Sequence, residues 1–276
     1  MSNQRTHYVT TTDGVTLGAT VHGQGPPLVL VHGMLGDGDL DWRGVLGHLT
    51  GRFTCHLPSW RGRGLSGDHP DLGFGRMVDD ILAYVDSVED PAGVVGWSFG
   101  ANLALVAATQ SEAMPSVAAI GPVAMGLADE QGQATFGEAV GRTAELAGQG
   151  DLTAAARTIA SLPFDDEEIA VAEDAGYFEA TGRYIPDLLG LLQQWKDYQG
   201  PTIDDPAILA AISVPVVVLP ADSVPFHRTS ALHVADHIPN ARIREIPGAG
   251  HAAPLSHPEG LAEALNEIFQ PAQNPL

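Results

Sequence analysis

Gly96-Trp97-Ser98-Phe99-Gly100 is the stretch of this sequence that predicts the fold. A short apolar run precedes it, and a helix-prone run rich in alanine and leucine follows it. A strand, a tight turn and a helix in this order would hold Ser98 in a strained backbone conformation, at the positive N-terminus of the helix. A Cβ at Gly96 or Gly100 would collide with the neighbouring strand or helix, so the two glycines fit this turn. The motif therefore predicts that the hydroxyl of Ser98 stands above the end of a sheet.

Continuous apolar runs recur along the rest of the chain, as expected for strands that are buried on both faces. They cover residues 28–31, 53–57, 94–95, 117–120 and 214–219, followed by a more alternating run at 241–246 that is typical of a sheet edge. Residues 7–22 predict a hairpin around a central Asp-Gly turn, and apolar periodicity predicts helices near 75–89 and 258–270. The alternation of strands and helices predicts an α/β fold, with a mostly parallel eight-stranded sheet and helices on both faces.

One long segment, residues 123–213, breaks this alternation because it contains helical patterns and no convincing strand. A crossover between parallel strands needs only about a dozen residues, so most of the segment is surplus to the sheet. We interpret it as a helical cap, inserted after the sixth strand of a core formed by residues 1–122 and 214–276. The predicted cap would cover Ser98, and its Trp195 and Tyr198 are expected to bind substrate together with Trp97 of the central motif.

A serine hydroxyl becomes a good nucleophile only when a base accepts its proton. After a strand–turn–helix serine, the chain order is expected to be serine, then an acid, then a histidine. Asp222 and His251 follow that order, and each lies just beyond the C-terminal end of a predicted strand, where ligands bind in open α/β sheets. We predict that Ser98 is the nucleophile, His251 the base and Asp222 the carboxylate that orients the base. A competing carboxylate, Asp129 or Glu130, would follow the sixth strand.

The same chemistry requires two N–H groups that stabilise the negative charge on the attacked carbonyl oxygen. Phe99, the residue after the nucleophile, would supply one of them. The segment His32-Gly33-Met34 follows an early strand, and Gly33 would let the backbone turn so that the Met34 amide supplies the other. We expect His32 itself to be a hydrogen-bonded structural residue.

Three further histidines, His227, His233 and His237, lie on a predicted helix. They form no metal-binding spacing with a cysteine, and we expect them at the surface.

Composition limits the classes of function that this chain can serve. It has 276 residues and a formal net charge of −21, so its surface would repel nucleic acid and anionic membranes. No apolar run approaches the roughly 20 residues that span a bilayer, and the polar N-terminus lacks a signal core. The single Cys55 excludes an internal disulfide and a multi-cysteine metal site. We expect a cytoplasmic protein with a small-molecule substrate and no metal or cofactor, and a loose tail over residues 271–276; the oligomeric state stays open.

These motifs resemble the α/β-hydrolase fold family over nearly the whole chain. Ser98, Asp222 and His251 match the triad positions of the family, and residues 32–34 match its oxyanion loop. Haloalkane dehalogenase-like and epoxide hydrolase-like members need an aspartate where this chain has Ser98. The carboxylate of such an aspartate becomes an alkyl ester when it attacks its substrate, whereas a serine attacks an acyl carbon. The resemblance therefore implies a cofactor-free serine hydrolase that acts on a small to medium, largely apolar carboxylic ester or lactone.

Residues 58–66 and 70–74 are locally similar to the cofactor-independent dioxygenases that cleave 3-hydroxy-4-quinolone rings with a histidine–aspartate dyad. Those proteins have histidines beside the serine, where this chain has Trp97 and Phe99. Their acid follows the sixth strand, where this chain has Gly121 and a proline. These departures favour hydrolysis. A dioxygenase-like or other non-hydrolytic enzyme with His251 as its base, and a non-catalytic ligand-binding protein, are the alternatives.

Overall fold

A computed structural model describes residues 4–111 and 113–270, and the predicted tail at 271–276 lies outside the described residues. Its centre is an eight-stranded sheet with the strand order β1-β2-β4-β3-β5-β6-β7-β8. The strands are β1 (Arg5–Thr10), β2 (Thr16–Gly23), β3 (Pro27–Val31), β4 (Thr54–Pro58), β5 (Gly93–Trp97), β6 (Val117–Ile120), β7 (Val216–Leu219) and β8 (Ala241–Ile243). All eight coincide with predicted strands, and β8 lies at the predicted sheet edge.

The first two strands form the predicted antiparallel hairpin, in which Thr10 is opposite Thr16. Gly14 has a φ of +90° in the connecting turn, a conformation that glycine adopts without steric cost. β2 also pairs antiparallel with β4, whereas every later pairing is parallel. The carboxyl ends of β5, β6 and β7 therefore meet at one edge of the sheet, and this edge carries the residues discussed below.

Helices of the core pack in two groups, as expected when they cover both faces of the sheet. Their ranges are α1 (Gly38–Leu49), α2 (Phe74–Asp86), α3 (Phe99–Ala107), α10 (Pro225–His237), α11 (Ala253–Ser256) and α12 (Pro258–Ile268). α1 packs against α11 and α12, whereas α2 packs against α3. The helices predicted near 75–89 and 258–270 are thus α2 and α12, which end three and two residues earlier than their periodicity suggested.

Residues 121–215, all of which the structure describes, contain helices and no strand. A short 3₁₀ turn at Met125–Leu127 leads into six helices: α4 (Glu130–Gly148), α5 (Leu152–Ala160), α6 (Asp166–Asp174), α7 (Tyr177–Gly182), α8 (Ile185–Trp195) and α9 (Pro206–Ala210). This is the helical content expected of the predicted cap, while its division from the core at residues 123 and 213 stays a prediction. Within the described part of the chain, no helix combines the length and apolar character that a membrane crossing requires.

Candidate active site

Ser98 occupies the turn between β5 and α3 in a strained backbone conformation. Its φ is +57°, and among the described residues no other non-glycine residue has a positive φ. A Cβ at Gly96 would lie 2.4 Å from the carbonyl oxygen of Gly100, and a Cβ at Gly100 would lie 2.3 Å from that of His32. Both distances are far below van der Waals contact, so the two glycines are required by the close approach of the backbone on either side of Ser98.

His251 lies within hydrogen-bond distance of this serine, as the sequence predicted. The Nε2 atom of His251 is 2.8 Å from the Oγ atom of Ser98. The ring is buried, and its backbone is held on both sides: the amide of His251 donates to Ser223 Oγ at 2.5 Å, and its carbonyl accepts from Trp97 Nε1 at 2.7 Å. With the ring proton on Nδ1, Nε2 accepts the serine proton, which is the geometry of a general base.

The structure does not bring Asp222 to this base. Its side chain is 54% exposed, and its carboxylate accepts from Arg228 at 2.9 Å. Arg228 lies six residues further along, in α10, and also binds Glu245 at 2.7 Å. The predicted triad contact is therefore absent here, because Asp222 turns outward into a surface ion-pair network. The Nδ1 atom of His251 is buried and has no hydrogen-bond partner among the described residues.

The competing acids do not replace Asp222 at the base. Asp129 caps the N-terminus of α4 by accepting from the Gly132 amide at 2.8 Å, and Glu130 begins that helix with an exposed side chain. Gly121, after β6, lies beside Nδ1 of His251, since a Cβ there would be 2.9 Å from the nitrogen.

His227, which was expected at the surface, is buried against the base. Its ring centroid is 4.3 Å from that of His251, and its own Nδ1 atom also lacks a partner among the described residues. Burial, with a smaller contribution from His227, holds the pKa of His251 well below its usual value of 6.5. Burial likewise lowers the pKa of His227 to about 4. Two neutral imidazoles thus lie side by side where the sequence predicted an imidazole and a carboxylate.

The residues predicted to supply the oxyanion donors form another part of the cavity wall. Met34 and Phe99 both line the cavity at the serine. Phe99 is the first residue of α3, so its amide is one of those that the helix leaves without an internal partner. Met34 follows Gly33 in the loop after β3, and both residues line the same cavity as Ser98.

Three buried side chains fix this loop. His32 lies beneath it as the predicted structural residue: Nδ1 contacts the carbonyl oxygen of Gly33 at 2.8 Å, and Nε2 accepts from the amide of Trp60 at 3.1 Å. Burial lowers the pKa of His32 to about 3, so the ring is neutral at pH 7. Arg63 donates to the carbonyl oxygens of Met34 and Gly36 at 2.6 and 2.8 Å.

Asp41 is the third of these side chains, and sequence reasoning missed it. Its Oδ2 atom accepts from the Gly33 amide at 2.8 Å, and its Oδ1 atom accepts from the hydroxyl of Tyr177 in α7 at 2.9 Å. Burial raises the pKa of Asp41 to about 8. A buried acid that is protonated at neutral pH therefore supports the oxyanion loop. The apolar positions of α1 could have placed Asp41 on its buried face.

Above Ser98 lies a cavity of about 1130 Å³, bounded by the core and by the predicted cap. All three residues that were predicted to bind substrate line it: Trp97, Trp195 and Tyr198. Trp97 stacks on Phe164, and Trp195 packs against Phe99. The wall is mostly apolar, so the cavity suits a ligand that carries few charges.

Within the part of the chain that the structure describes, no cluster of three or more histidine, cysteine, aspartate or glutamate side chains could hold a metal ion.

A mostly parallel eight-stranded sheet with a serine on a strained turn after its fifth strand, beside a histidine, is the architecture of α/β hydrolases. The chain belongs to this class of enzymes: the sequence profile described as "Alpha/beta hydrolase family" matches residues 28–264. Its relatives include esterases.

A pimeloyl-[acyl-carrier protein] methyl ester esterase of Xanthomonas campestris pv. campestris is 29% identical over 260 residues, which cover 90% of this chain and 96% of that protein. A soluble epoxide hydrolase of Corynebacterium sp. is 34% identical over 107 residues. This shorter match covers 38% of the chain and only 37% of that protein's length. The crystal structure of an α/β hydrolase from Sphaerobacter thermophilus superposes with a TM-score of 0.73 at 26% identity, covering 96% of this chain and all of that one.

The comparisons confirm the predicted resemblance to α/β hydrolases and the predicted fold class. They do not show the local similarity to cofactor-independent dioxygenases.

Proposed function

We propose that this protein is a serine hydrolase that cleaves largely apolar carboxylic esters or lactones through an acyl-enzyme. The observation that carries the proposal is the 2.8 Å contact between Ser98 Oγ and His251 Nε2 on the strained turn after β5. A serine beside a base attacks acyl carbons, and the esterase relative that matches 90% of the chain supports ester substrates. The presence of Ser98 argues against epoxide hydrolysis, the activity for which the Corynebacterium relative is named, because that reaction needs an aspartate at this position.

In the proposed reaction, Ser98 Oγ attacks the carbonyl carbon while its proton moves to Nε2 of His251. The amides of Phe99 and Met34 hold the negative oxygen of the tetrahedral intermediate. His251 then gives the proton to the leaving oxygen, which departs as an alcohol, or as the free hydroxyl end of an opened lactone. A water molecule next attacks the acyl-enzyme with His251 as base, and the acid is released as Ser98 regains its proton.

The cavity supports medium-sized substrates within the predicted range. Its volume of about 1130 Å³ is slightly above the roughly 300–1,000 Å³ that is usual for sites of drug-sized ligands. Aromatic side chains from both the core and the predicted cap line it, so a longer or bulkier apolar acyl group would bury more surface than an acetyl group.

The direct test is covalent labelling of Ser98 with a fluorophosphonate, together with hydrolysis of p-nitrophenyl esters of increasing acyl length. The wild type should label and turn over esters, with kcat/KM rising from acetate to medium chains, whereas S98A should do neither. Equal ester turnover by the wild type and S98A would remove Ser98 from the mechanism. Oxygen uptake with a heteroaromatic substrate that depends on His251 and survives in S98A would instead indicate a dioxygenase-like enzyme.

One observation favours a second candidate, a non-catalytic ligand-binding protein. The Nδ1 atom of His251 lacks a carboxylate partner among the described residues, and a triad serine depends on such a partner for full activation. A binding protein predicts no labelling of Ser98 at any pH, combined with thermal stabilisation of the protein by apolar esters that stay uncleaved.

A further inference from the structure

A buried carboxylate from the predicted cap contacts the loop that carries the base. Glu168 lies in α6 and is 3% exposed. Its Oε1 atom accepts from the amide of Ala252 at 2.5 Å, and its Oε2 atom accepts from the hydroxyl of Ser223 at 2.7 Å. Oε2 also accepts from the amide of Asp165 at 3.1 Å, which completes the capping box of α6. Glu168 is therefore the acceptor in every one of these contacts, while burial raises the pKa of its carboxyl group.

Ser223 extends this contact to His251. Its Oγ atom donates to Glu168 and accepts from the amide of His251 at 2.5 Å. Two consecutive backbone amides, those of residues 251 and 252, are thus held by one carboxylate, the second directly and the first through Ser223. One buried acidic side chain of α6 therefore holds the loop at two consecutive residues.

The sequence of the loop fits the attachment. A Cβ at Gly250 would lie 2.3 Å from Ser223 Oγ and 2.5 Å from Glu168 Oε1, so any side chain there would push the carboxylate away. Gly248, with a φ of +76°, lets the chain turn into the same loop. Both glycines lie within the three residues that precede His251.

No carboxylate of the described residues forms a hydrogen bond with the ring of His251 itself. Its Nδ1 atom has no partner within residues 4–111 and 113–270, and Asp222 is turned outward. The ring direction is therefore set by how the backbone of residues 251 and 252 is held, and by the contacts of the ring with Ser98 and His227. A displacement of about 1 Å at a catalytic group lowers rates by about 10²-fold.

We propose that Glu168, acting through Ser223 and the Ala252 amide, is the positioning residue that aims His251 at Ser98. The inference rests on the proposed function, since it assumes that His251 serves Ser98 as a base. Glu168, a residue of the predicted cap, would thus orient the base in the way that the sequence predicted for Asp222.

The experiment compares E168Q and S223A with E167Q, a matched control that removes the same charge from an exposed neighbouring side chain. Each is measured for kcat and KM with one p-nitrophenyl ester and for the rate of fluorophosphonate labelling. We expect E168Q and S223A to lower kcat and the labelling rate by about 10- to 100-fold with KM changed less than threefold. E167Q should match the wild type. Should E168Q melt at a much lower temperature, S223A decides the question, because it leaves the bonds of Glu168 to Ala252 and Asp165 in place.

A second readout does not depend on turnover. The imidazole signals of His251 in long-range ¹⁵N–¹H spectra, assigned by their loss in H251Q, should broaden or shift in E168Q and S223A but not in E167Q. Unchanged His251 signals and an unchanged kcat in both variants would overturn the proposal. A wild type that neither labels nor cleaves esters would refute the proposed function alone, and the spectra would still decide whether Glu168 aims the ring.

Discussion

The two sides of Ser98 are built differently. On the oxyanion side, the loop after β3 is held by His32, Asp41 and Arg63, and each of these side chains bonds directly to the loop backbone. On the base side, the backbone of His251 is held, while the Nδ1 atom of its ring has no partner among the described residues. In the proposed reaction, stabilisation of the oxyanion would therefore be preorganised, whereas activation of the serine would rely on a base without a direct carboxylate among the described residues.

The largest effect should come from breaking the base side. H251Q removes the acceptor of the Ser98 proton, and general-base catalysis typically contributes about 10²–10⁴-fold. We expect the rate of fluorophosphonate labelling of Ser98 to fall by about 10³-fold. The thermal melting temperature of the variant serves as its control for folding. Labelling of H251Q within tenfold of the wild type would mean that another group activates the serine, with His227 as the first residue to test.

Breaking the oxyanion side should produce the next largest effect. D41A leaves the amide of Gly33 and the hydroxyl of Tyr177 buried without a partner, and a loop shift of about 1 Å would reduce kcat by about 10²-fold. D41N is the matched variant, because its amide oxygen can accept from Gly33 while its NH₂ group donates to Tyr177. We expect D41N to stay within threefold of the wild type at pH 7 in ester hydrolysis. Equal losses in D41A and D41N would show that the loop needs the ionised acid.

The pH dependence should separate the two sides further. The base works when neutral, and burial holds the pKa of His251 below 6.5, so activity should persist as the pH falls through 6.5. On the oxyanion side, the pKa of Asp41 is raised to about 8, so the acid ionises above that pH and places a negative charge beneath the oxyanion loop. We expect kcat of the wild type to decline above pH 8 and kcat of D41N to stay level. A decline shared by both proteins would assign the alkaline limb to another group.

The same shift predicts an effect on stability. The pKa of Asp41 is higher in the folded than in the unfolded protein, so the protonated acid stabilises the fold. This contribution is complete below the unfolded pKa of about 4 and is lost as the pH rises through 8. Subtracting D41N from the wild type removes the contributions of the histidines. The difference in the free energy of unfolding, measured with urea, should therefore favour the wild type more at pH 5 than at pH 9.

Most of the fold could be predicted from the sequence because strands buried on both faces and amphipathic helices leave periodic patterns. The turn around Ser98 could be predicted because backbone sterics require glycine at positions 96 and 100. The position of His251 could be predicted because an acid and then a histidine are expected after such a serine. The sequence pattern does not specify which neighbouring group a carboxylate binds. The carboxylate of Asp222 forms an ion pair with Arg228 at the surface instead of contacting His251.

Two site residues had signals that sequence reasoning passed over. One face of α10 is buried, and its members have helical spacing in the sequence: His227, Ser230, Ala231 and Val234. Glu168 stands three residues after Asp165, the spacing of a capping box, which marks the start of α6. Neither pattern could place its residue beside His251, because the contact joins segments that are far apart in the chain.

The smallest effect should follow from changing Asp222, and it tests the base side most sharply. The carboxylate is exposed and paired with Arg228, and exposed ion pairs contribute little to stability. D222N should therefore keep kcat within about threefold of the wild type, and E245Q, which removes the other partner of Arg228, should behave in the same way. A tenfold or larger loss of kcat in D222N alone, at unchanged melting temperature, would mean that Asp222 leaves Arg228 and turns to the Nδ1 atom of His251 during catalysis. In that case the Nδ1 atom would lack a partner only in the resting enzyme, and the two sides of Ser98 would become alike once substrate is bound.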